Sequence, residues 1–93
     1  MMVKVRFFAS LRELIGKREE SVELKEGTNL ATLLKEVSER LENASRGIYN
    51  EKGNINESLQ FLVNGVDVNS LSGVETLLRN GDVIAIIPPV GGG

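Results

Sequence analysis

The chemistry that this sequence can carry is concentrated in its last six residues, Pro88-Pro89-Val90-Gly91-Gly92-Gly93. Proline fixes φ near about −65° and has no N–H for a sheet ladder, so the two prolines should end the preceding strand and direct the chain away from the body. Glycine has no side chain and little conformational preference. The four residues after Pro89 span about 13 Å when extended. We therefore expect residues 88–93 to form a tail that can enter a narrow channel in a partner protein.

The reactive group of such a tail would be the carboxylate of Gly93. A carboxylate is unreactive until it is activated, and adenylation is the usual chemistry for making it an acyl donor. A channel that admits a backbone and excludes side chains requires glycine, which would account for Gly92. The alternative is a frayed terminus or a remnant of cloning without function. Both interpretations are open at this stage, and the rest of the sequence has to decide between them.

Composition excludes several classes of site. The sequence has 93 residues, which predicts one domain over residues 1–93, and it contains no histidine and no cysteine. Catalysis by a thiol, acid–base work by histidine and Cys/His metal sites are therefore excluded. The carboxylates are scattered and form no convincing ligand cluster, so we expect no metal site and no bound cofactor. The chain is a poor candidate for an enzyme with catalytic side chains of its own.

Charge and hydropathy bound the partners and the compartment. The net charge is −2, so there is no electrostatic footprint for nucleic acid or an anionic membrane. No apolar run approaches the length that spans a bilayer. The first six residues are charged at alternate positions, unlike the apolar core of a signal peptide. With no cysteine as well, the sequence favours a cytoplasmic protein that binds neither nucleic acid nor membrane.

Two repeating patterns of apolar residues, alternation and helical spacing, predict the amino-terminal strand and the short helix after it. Val3, Val5 and Phe7 alternate with charged residues, which predicts a strand with one buried face. Phe8 interrupts the polar character of the other face. After it, a short helix is predicted to end at Gly16, because apolar residues recur at helical spacing at Leu11, Leu14 and Ile15.

A second strand and the main helix follow. The alternation over residues 21–25 predicts a strand with Val22 and Leu24 facing inward. Thr28 is predicted to be the N-cap of the main helix. One face of that helix should be buried, because its apolar residues form an amphipathic stripe: Leu30, Leu33, Leu34, Val37 and Leu41.

The carboxyl-terminal half is predicted to be mostly strands. Residues 43–57 lack periodicity and are predicted to form a long loop with a turn around Lys52-Gly53. Strands are predicted at 59–63 and 66–68, joined by the tight turn Asn64-Gly65, and an irregular segment covers 71–78. After a turn at 80–82, residues 83–87 are predicted to form a last strand that is apolar on both faces, and such a strand is either central in its sheet or covered on its outer side by something else. The element order predicts an α+β fold in which the first and last strands pair.

Three stretches together resemble a known family: residues 7–16 (Phe-Phe-Ala-Ser-Leu-Arg-Glu-Leu-Ile-Gly), Val63-Asn64-Gly65, and residues 78–90, closed by Gly92-Gly93. They are similar to the ubiquitin-like sulfur carriers, and most closely to the small subunit of molybdopterin synthase (MoaD-like). The resemblance implies a β-grasp fold, which is a mixed sheet with one main helix packed on one face. It also implies that the chain binds no cofactor itself.

The resemblance further implies a sequence of partners. A ubiquitin-activating-enzyme-like adenylyltransferase (MoeB-like) would use ATP to adenylate Gly93, and the adenylate would become a thiocarboxylate. The carrier would then dock on the molybdopterin synthase large subunit (MoaE-like), thread its tail into that active site and give sulfur for the dithiolene of the molybdenum cofactor. Gly93 and Gly92 would thus be the reacting end of the chain.

A docking surface is predicted around the base of the tail. Phe8 is an apolar residue on an otherwise polar face, and the last strand of a β-grasp sheet would lie beside it. The predicted partner-binding residues are Phe8, Arg12 at the rim, Ile87, Pro88, Pro89, Val90 and Gly91. The alternative is that Phe8 is merely an exposed hydrophobic residue, since single apolar residues are common on protein surfaces.

Other functions stay open on the sequence alone. A carrier of the same fold could serve another pathway, such as thiamine synthesis or tRNA thiolation, although thiamine-type carriers are usually shorter. A protein modifier conjugated to lysines through Gly93 would use the same activated carboxylate. A β-grasp interaction module with an idle tail is the remaining alternative.

Overall fold

The computed structural model describes residues 1–89. The strands are β1 Met2–Phe7, β2 Glu19–Glu23, β3 Gln60–Val63, β4 Val66–Asp67 and β5 Val83–Ile87. The helices are α1 Ala9–Ile15, α2 Leu30–Arg40 and α3 Ala44–Ile48, with 3₁₀ turns at Val68–Ser70 and Gly73–Glu75. The sheet order is β2-β1-β5-β3-β4. Its central pair, β1 and β5, is parallel and the other pairs are antiparallel.

This arrangement confirms the predicted α+β fold. The first and last strands of the described chain pair with each other, and β5 has neighbours on both sides. Alternation places Val3, Val5 and Phe7 of β1 in the core together with Ile84 and Ile86 of β5, each no more than 2% exposed. The helices cover this face, as expected for an α+β domain whose sheet has one buried side.

The stripe of α2 forms the other half of the core. Leu30, Leu33, Leu34 and Val37 are completely buried, which confirms the amphipathic prediction. The predicted N-cap, Thr28, is wrong: Asn29 caps the helix, and its side chain accepts a hydrogen bond from the Thr32 amide at 3.0 Å. The Thr28 hydroxyl instead lies in the preceding turn, where it donates to the Lys25 carbonyl at 2.6 Å.

The segment predicted as a loop over residues 43–57 contains the helix α3. Ala44 and Ile48 of α3 are completely buried. Gly47 lies so close to α1 that a Cβ atom there would overlap the Leu11 side chain. The remainder is a loop as predicted, with a turn closed by the Gly53 amide, which donates to the Asn50 carbonyl at 2.9 Å.

Three strands differ from their predicted bounds, and the smallest difference is that the strand predicted at 59–63 begins at Gln60. The second strand covers Glu19–Glu23 rather than 21–25, because β1 pairs with it from Met2–Glu23 to Arg6–Glu19. The returning strand after Asn64-Gly65 ends at Asp67, since the Asp67 side chain accepts a hydrogen bond from the Asn69 amide at 2.8 Å and starts a 3₁₀ turn. Val68 is nevertheless buried, so the hydrophobic pattern located the inward residue and missed the local geometry.

Candidate functional site

The base of the tail follows the central strand directly. Pro88 is buried and Pro89 is half-buried, immediately after β5 ends at Ile87. Because β5 is held on both sides by β1 and β3, the point from which the tail leaves is fixed relative to the core. Val90, Gly91, Gly92 and Gly93 lie outside the described residues, so the predictions for them stay predictions.

The sheet face opposite the helices carries an apolar patch next to this exit. The pairing register places its members on the same face, and we call them the outer apolar strip: Phe8, Leu62, Val83, Ala85 and Ile87. Lys4 and Arg6 border it on β1, and Gln60 on β3 donates to Asp67 at 3.2 Å on its other side. The strip is therefore an apolar centre with a polar rim, which is the usual anatomy of a protein–protein interface.

Phe8 is held in place by the start of α1. Its backbone is extended, with φ −125° and ψ 154°, and its carbonyl accepts from the Leu11 and Arg12 amides at 3.1 and 3.2 Å. The chain then turns sharply at Ala9, whose φ is +49°. The Arg6 guanidinium lies over the Phe8 ring, 5.4 Å from its centroid, and the ring is half-buried. Phe8 therefore lies where it was predicted, on the outer face.

The register decides which predicted neighbours lie near Phe8. Phe7 pairs with Ile86, which places Phe8 beside Ile87 when the extended backbone continues the strand. Val83, by contrast, pairs with Lys4 and lies towards the other end of β1. Arg12 is exposed on α1, and its side chain forms no ion pair with any of residues 1–89. The structure thus groups Phe8 and Ile87 at the tail base and leaves Arg12 on the adjoining helix.

A groove on the helical side of the tail base was missed by the sequence reasoning. It has a volume of about 360 Å³ and lies between α1, α3, the segment 56–59 and the two prolines. Leu11, Leu14 and Leu59 supply apolar lining, and Arg46 is the charged residue at its edge. No sequence signal pointed to Arg46, because α3 itself was predicted to be loop. Leu62 of the outer apolar strip was likewise passed over, as an ordinary residue of a short strand.

The three ion pairs of residues 1–89, Lys4–Glu19, Lys17–Glu20 and Arg40–Glu20, involve residues of β2 and not the tail base. Burial is the largest cause that raises the pKa of Tyr49 above its ordinary value of 10.0, and the charge of Glu39 also raises it. No group of three or more acidic residues in this range is arranged to hold a metal ion.

Within residues 1–89 none of the helices has the length and apolar character needed to cross a membrane. The cytoplasmic location expected from the sequence stays a prediction.

Curated proteins similar to this chain include carriers and modifiers. The chain is 29% identical to small archaeal modifier protein 3 of Haloferax volcanii and 33% identical to a putative sulfur carrier protein of Archaeoglobus fulgidus. It is also 29% identical to the molybdopterin synthase sulfur carrier subunit of Chlamydomonas reinhardtii. In each comparison the match covers 100% of both proteins.

Solved structures show the same fold. The crystal structure of SAMP1 from Haloferax volcanii superposes with a TM-score of 0.89 over 100% of both chains at 22% identity. The solution structure of small archaeal modifier protein 1 from Methanosarcina acetivorans has a TM-score of 0.83 at 34% identity, covering 99% of this chain and 96% of that one. In the BexX/CysO complex of Amycolatopsis orientalis, the matching chain has a TM-score of 0.74 at 27% identity, with 98% and 99% covered.

A family model described as the ThiS family matches residues 5–93, which includes the end of β1, all of β5 and the tail. The β-grasp sheet, the tail base on its central strand and the full-length match agree with one another. The chain belongs to the ThiS family and is a ubiquitin-like sulfur carrier of the ThiS/MoaD type.

Proposed function

We propose that this carrier supplies sulfur for the molybdopterin dithiolene, as the small subunit of a molybdopterin synthase. A MoeB-like adenylyltransferase joins AMP from ATP to the Gly93 carboxylate and releases pyrophosphate. A sulfur nucleophile supplied by a partner then displaces AMP, which leaves a thiocarboxylate on Gly93. The observation that carries this proposal is the family match over residues 5–93, because it includes the Gly92-Gly93 pair on which the chemistry depends.

The body of the protein suits a donor whose catalytic side chains belong to its partners. The sequence has no histidine or cysteine to act as a nucleophile or general base. The tail leaves a rigid position on the central strand, so docking the body fixes where the tail enters the partner. Holding the reactants in a defined geometry is a large part of enzymatic rate enhancement, and here the carrier's body contributes that positioning.

The docking surface in this proposal is the outer apolar strip together with the tail base. Phe8 and Ile87 lie side by side there, Pro88 and Pro89 follow, and Val90 and Gly91 continue towards Gly93. Arg12 on α1 provides a cation at the rim. The MoaE-like large subunit and the MoeB-like adenylyltransferase would use this surface in turn, because each has to receive the same tail.

The second candidate function is protein modification. It is favoured by the 29% identity with small archaeal modifier protein 3 over the full length of both chains. In that reaction a lysine amine attacks the Gly93 adenylate, an amide bond forms and AMP leaves. Both functions use the same activated carboxylate, so they differ in the nucleophile and not in this chain.

The experiment that separates them is a mass measurement on the intact protein. The chain is incubated with its cognate adenylyltransferase, ATP and a sulfide source, and then with its large subunit and a precursor pterin. Exchange of one carboxylate oxygen for sulfur, followed by loss of that sulfur to the pterin, supports the proposal. Sulfur exchange without transfer to the pterin would point to another pathway, and lysine conjugates in the source cells would support the modifier.

Gly92→Val tests the role of the tail. A β-branched side chain restricts the backbone and adds bulk where a narrow channel must be threaded. We expect the melting curve to stay the same, since the described core consists of residues from Val3 to Ile86, while adenylate formation falls by orders of magnitude. An unchanged rate of adenylation would remove the main support for a reacting Gly93.

A further inference from the structure

Two Asn-Gly pairs lie at the end of the sheet opposite the tail base. Asn64-Gly65 joins β3 to β4, and the Asn64 amide donates to the carbonyl of Val83, the first residue of β5. Asn80-Gly81 precedes β5 and contacts Met2 at the start of β1. In such a pair the glycine nitrogen can attack the side-chain carbonyl carbon of asparagine, because no Cβ atom hinders the approach. The two pairs share this chemistry, so any difference between them in the folded protein comes from structure.

At Asn64-Gly65 the attacking nitrogen is accessible. Both residues are exposed and have positive φ, +51° for Asn64 and +83° for Gly65. Nothing lies within 4 Å of the position that a Cβ on Gly65 would occupy. The Gly65 amide donates no hydrogen bond to any of residues 1–89 outside the strand ladders. The nucleophile is therefore open to solvent and to base.

The side chain of Asn64, in contrast, is held at both of its polar atoms. Its Nδ2 donates to Asp82 Oδ1 at 2.9 Å, and its Oδ1 accepts from the Val83 amide at 2.9 Å. These two bonds orient the carbonyl carbon towards β5. They also hold the nitrogen that would have to leave, and one of them ends on a charged acceptor, which makes it the stronger kind of hydrogen bond.

At Asn80-Gly81, unlike at Asn64-Gly65, the attacking glycine nitrogen is itself held by a hydrogen bond. The Gly81 nitrogen donates to the Met2 carbonyl at 2.8 Å, and Asn80 Oδ1 accepts from the Met2 amide at 2.8 Å. The nucleophilic nitrogen of this pair is therefore hydrogen-bonded to β1. Asn80 is thus protected by the engagement of Gly81, whereas Asn64 is protected only through its own side chain.

We propose that Asn64-Gly65 is a self-modification site, a deamidation site restrained by Asp82. The Gly65 nitrogen forms a bond to Asn64 Cγ, the Cγ–Nδ2 bond breaks, and ammonia leaves with the proton from the Gly65 nitrogen. Water then opens the cyclic imide to aspartate or isoaspartate. Each step needs only water, and none involves the tail.

The product would weaken the sheet where the reaction occurs. A carboxylate at position 64 would face the Asp82 carboxylate in place of the amide that now donates to it. Like charges brought this close repel each other, and neither oxygen can donate a hydrogen bond to the other. Isoaspartate would also lengthen the backbone of a two-residue turn. Modification would therefore loosen the pairing of β3 with β5 at the end of the sheet away from the tail base.

The test compares three proteins incubated in mildly alkaline buffer: wild type, Asp82→Ala and Val37→Ala. Val37 is completely buried in α2, which includes neither turn, so its truncation controls for general loss of stability. Peptide mass mapping and isoaspartate detection report Asn64 and Asn80 from the same digest. We expect Asp82→Ala to speed conversion at Asn64 by about tenfold or more, the effect of losing one hydrogen bond to a charged group. Val37→Ala should increase the rate of conversion at Asn64 by no more than the rate at Asn80.

Asp82→Ala also removes a hydrogen bond from the turn that contains Asn80, because Asp82 Oδ2 accepts from the Arg79 amide at 2.8 Å. The rate of conversion at Asn80 therefore serves as an internal reference for loosening of that turn. If Asp82→Ala does not fold, Asp82→Asn keeps the side-chain size and loses one of the two acceptors, and a smaller rise at Asn64 is expected. Three results would overturn the proposal. The rate of conversion at Asn64 could be unchanged in Asp82→Ala, it could rise equally at Asn64 and Asn80, or Val37→Ala could raise it at Asn64 as much as Asp82→Ala does.

Discussion

Phe8 owes its position to three local features: the end of β1, the sharp turn at Ala9 and the Arg6 guanidinium above its ring. An aromatic ring under a cation contributes about 0.5–1 kcal/mol at an exposed site. That is modest compared with the free energy of unfolding of a small domain, about 5–15 kcal/mol. Phe8 is thus better placed to serve binding than stability.

Phe8→Glu should therefore separate the two roles. We expect the free energy of unfolding to fall by no more than about 1 kcal/mol, because the ring is half-buried and outside the core. Binding to a partner that receives the tail should weaken by at least about 2 kcal/mol, the scale of an interface hot spot. Calorimetry with the cognate adenylyltransferase measures the second effect, and a denaturant titration measures the first.

Leu77→Glu is the matched control. Leu77 is 65% exposed, more than any other large hydrophobic residue in the described chain, and it lies before β5 and away from the tail base. Leu77→Glu should change neither the free energy of unfolding nor the binding free energy by much. If Phe8→Glu unfolds the domain, or if Leu77→Glu weakens binding equally, the docking surface has been assigned to the wrong place.

The element with the least sequence signal is α3. Its five residues, Ala-Ser-Arg-Gly-Ile, include a glycine and no repeating stripe, and a helix this short has little stability of its own. It forms because Ala44 and Ile48 are buried and because Gly47 lets it approach α1 closely. Tertiary packing therefore decides this element, and the sequence alone predicted only a loop.

Gly47→Ala tests this packing. The new methyl group would overlap the side chain of Leu11, and Leu11 is itself in the core with 3% exposure. Alanine favours helix, but the overlap forces α3 and α1 apart, and overpacking usually costs about 1–3 kcal/mol. We expect a net loss of stability in urea denaturation.

Ser45→Ala, on an exposed position of the same helix, should change stability by no more than about 0.5 kcal/mol. Because the groove beside Pro88 is lined by Leu11, Arg46 and Gly47, the Gly47 variant should also alter its shape. A Gly47→Ala protein as stable as wild type would show that Leu11 can move aside without cost.

For the whole molecule, one titration connects pH with stability. Tyr49 is the single tyrosine of the sequence, and burial is the largest cause of its pKa being raised above 10.0. Above that pH an unfolded chain releases the phenolic proton while the folded chain retains it. The folded state then binds more protons, so the contribution of Tyr49 to stability is present below pH 10.0 and is lost as pH rises through the raised pKa.

Tyr49→Phe should therefore lose less stability than wild type when the pH is raised above 10.0, because the variant has no phenolic proton at this position. Ultraviolet absorbance of the wild type follows the phenolate directly, with a midpoint expected above 10.0. A midpoint at or below that value, or equal losses of stability in the two proteins, would show that Tyr49 ionises as freely as in the unfolded chain.

The sequence predicted the overall architecture because its strongest signals are periodic. Val3, Val5 and Phe7 at period two and Leu30, Leu33, Leu34 and Val37 on one helical face are all buried as expected. The features that the sequence did not predict depend on the folded chain. One is which of two neighbours, Thr28 or Asn29, caps α2. Another is the contact between Gly47 and Leu11, which are distant in sequence. For the same reason Phe8 was located from the pattern of one strand, whereas the groove with Arg46 required the folded chain.

The pairing of β1 with β5 has a consequence for synthesis on the ribosome. Translation delivers β1 first, but its parallel neighbour at Val83–Ile87 emerges only after more than sixty intervening residues. Until then β1 and β3 lack the strand that lies between them, and their apolar faces have no complete sheet in which to be buried. A chain interrupted before Val83 would therefore be recognised by chaperones and proteases as unfolded, so quality control would remove incomplete carriers soon after synthesis.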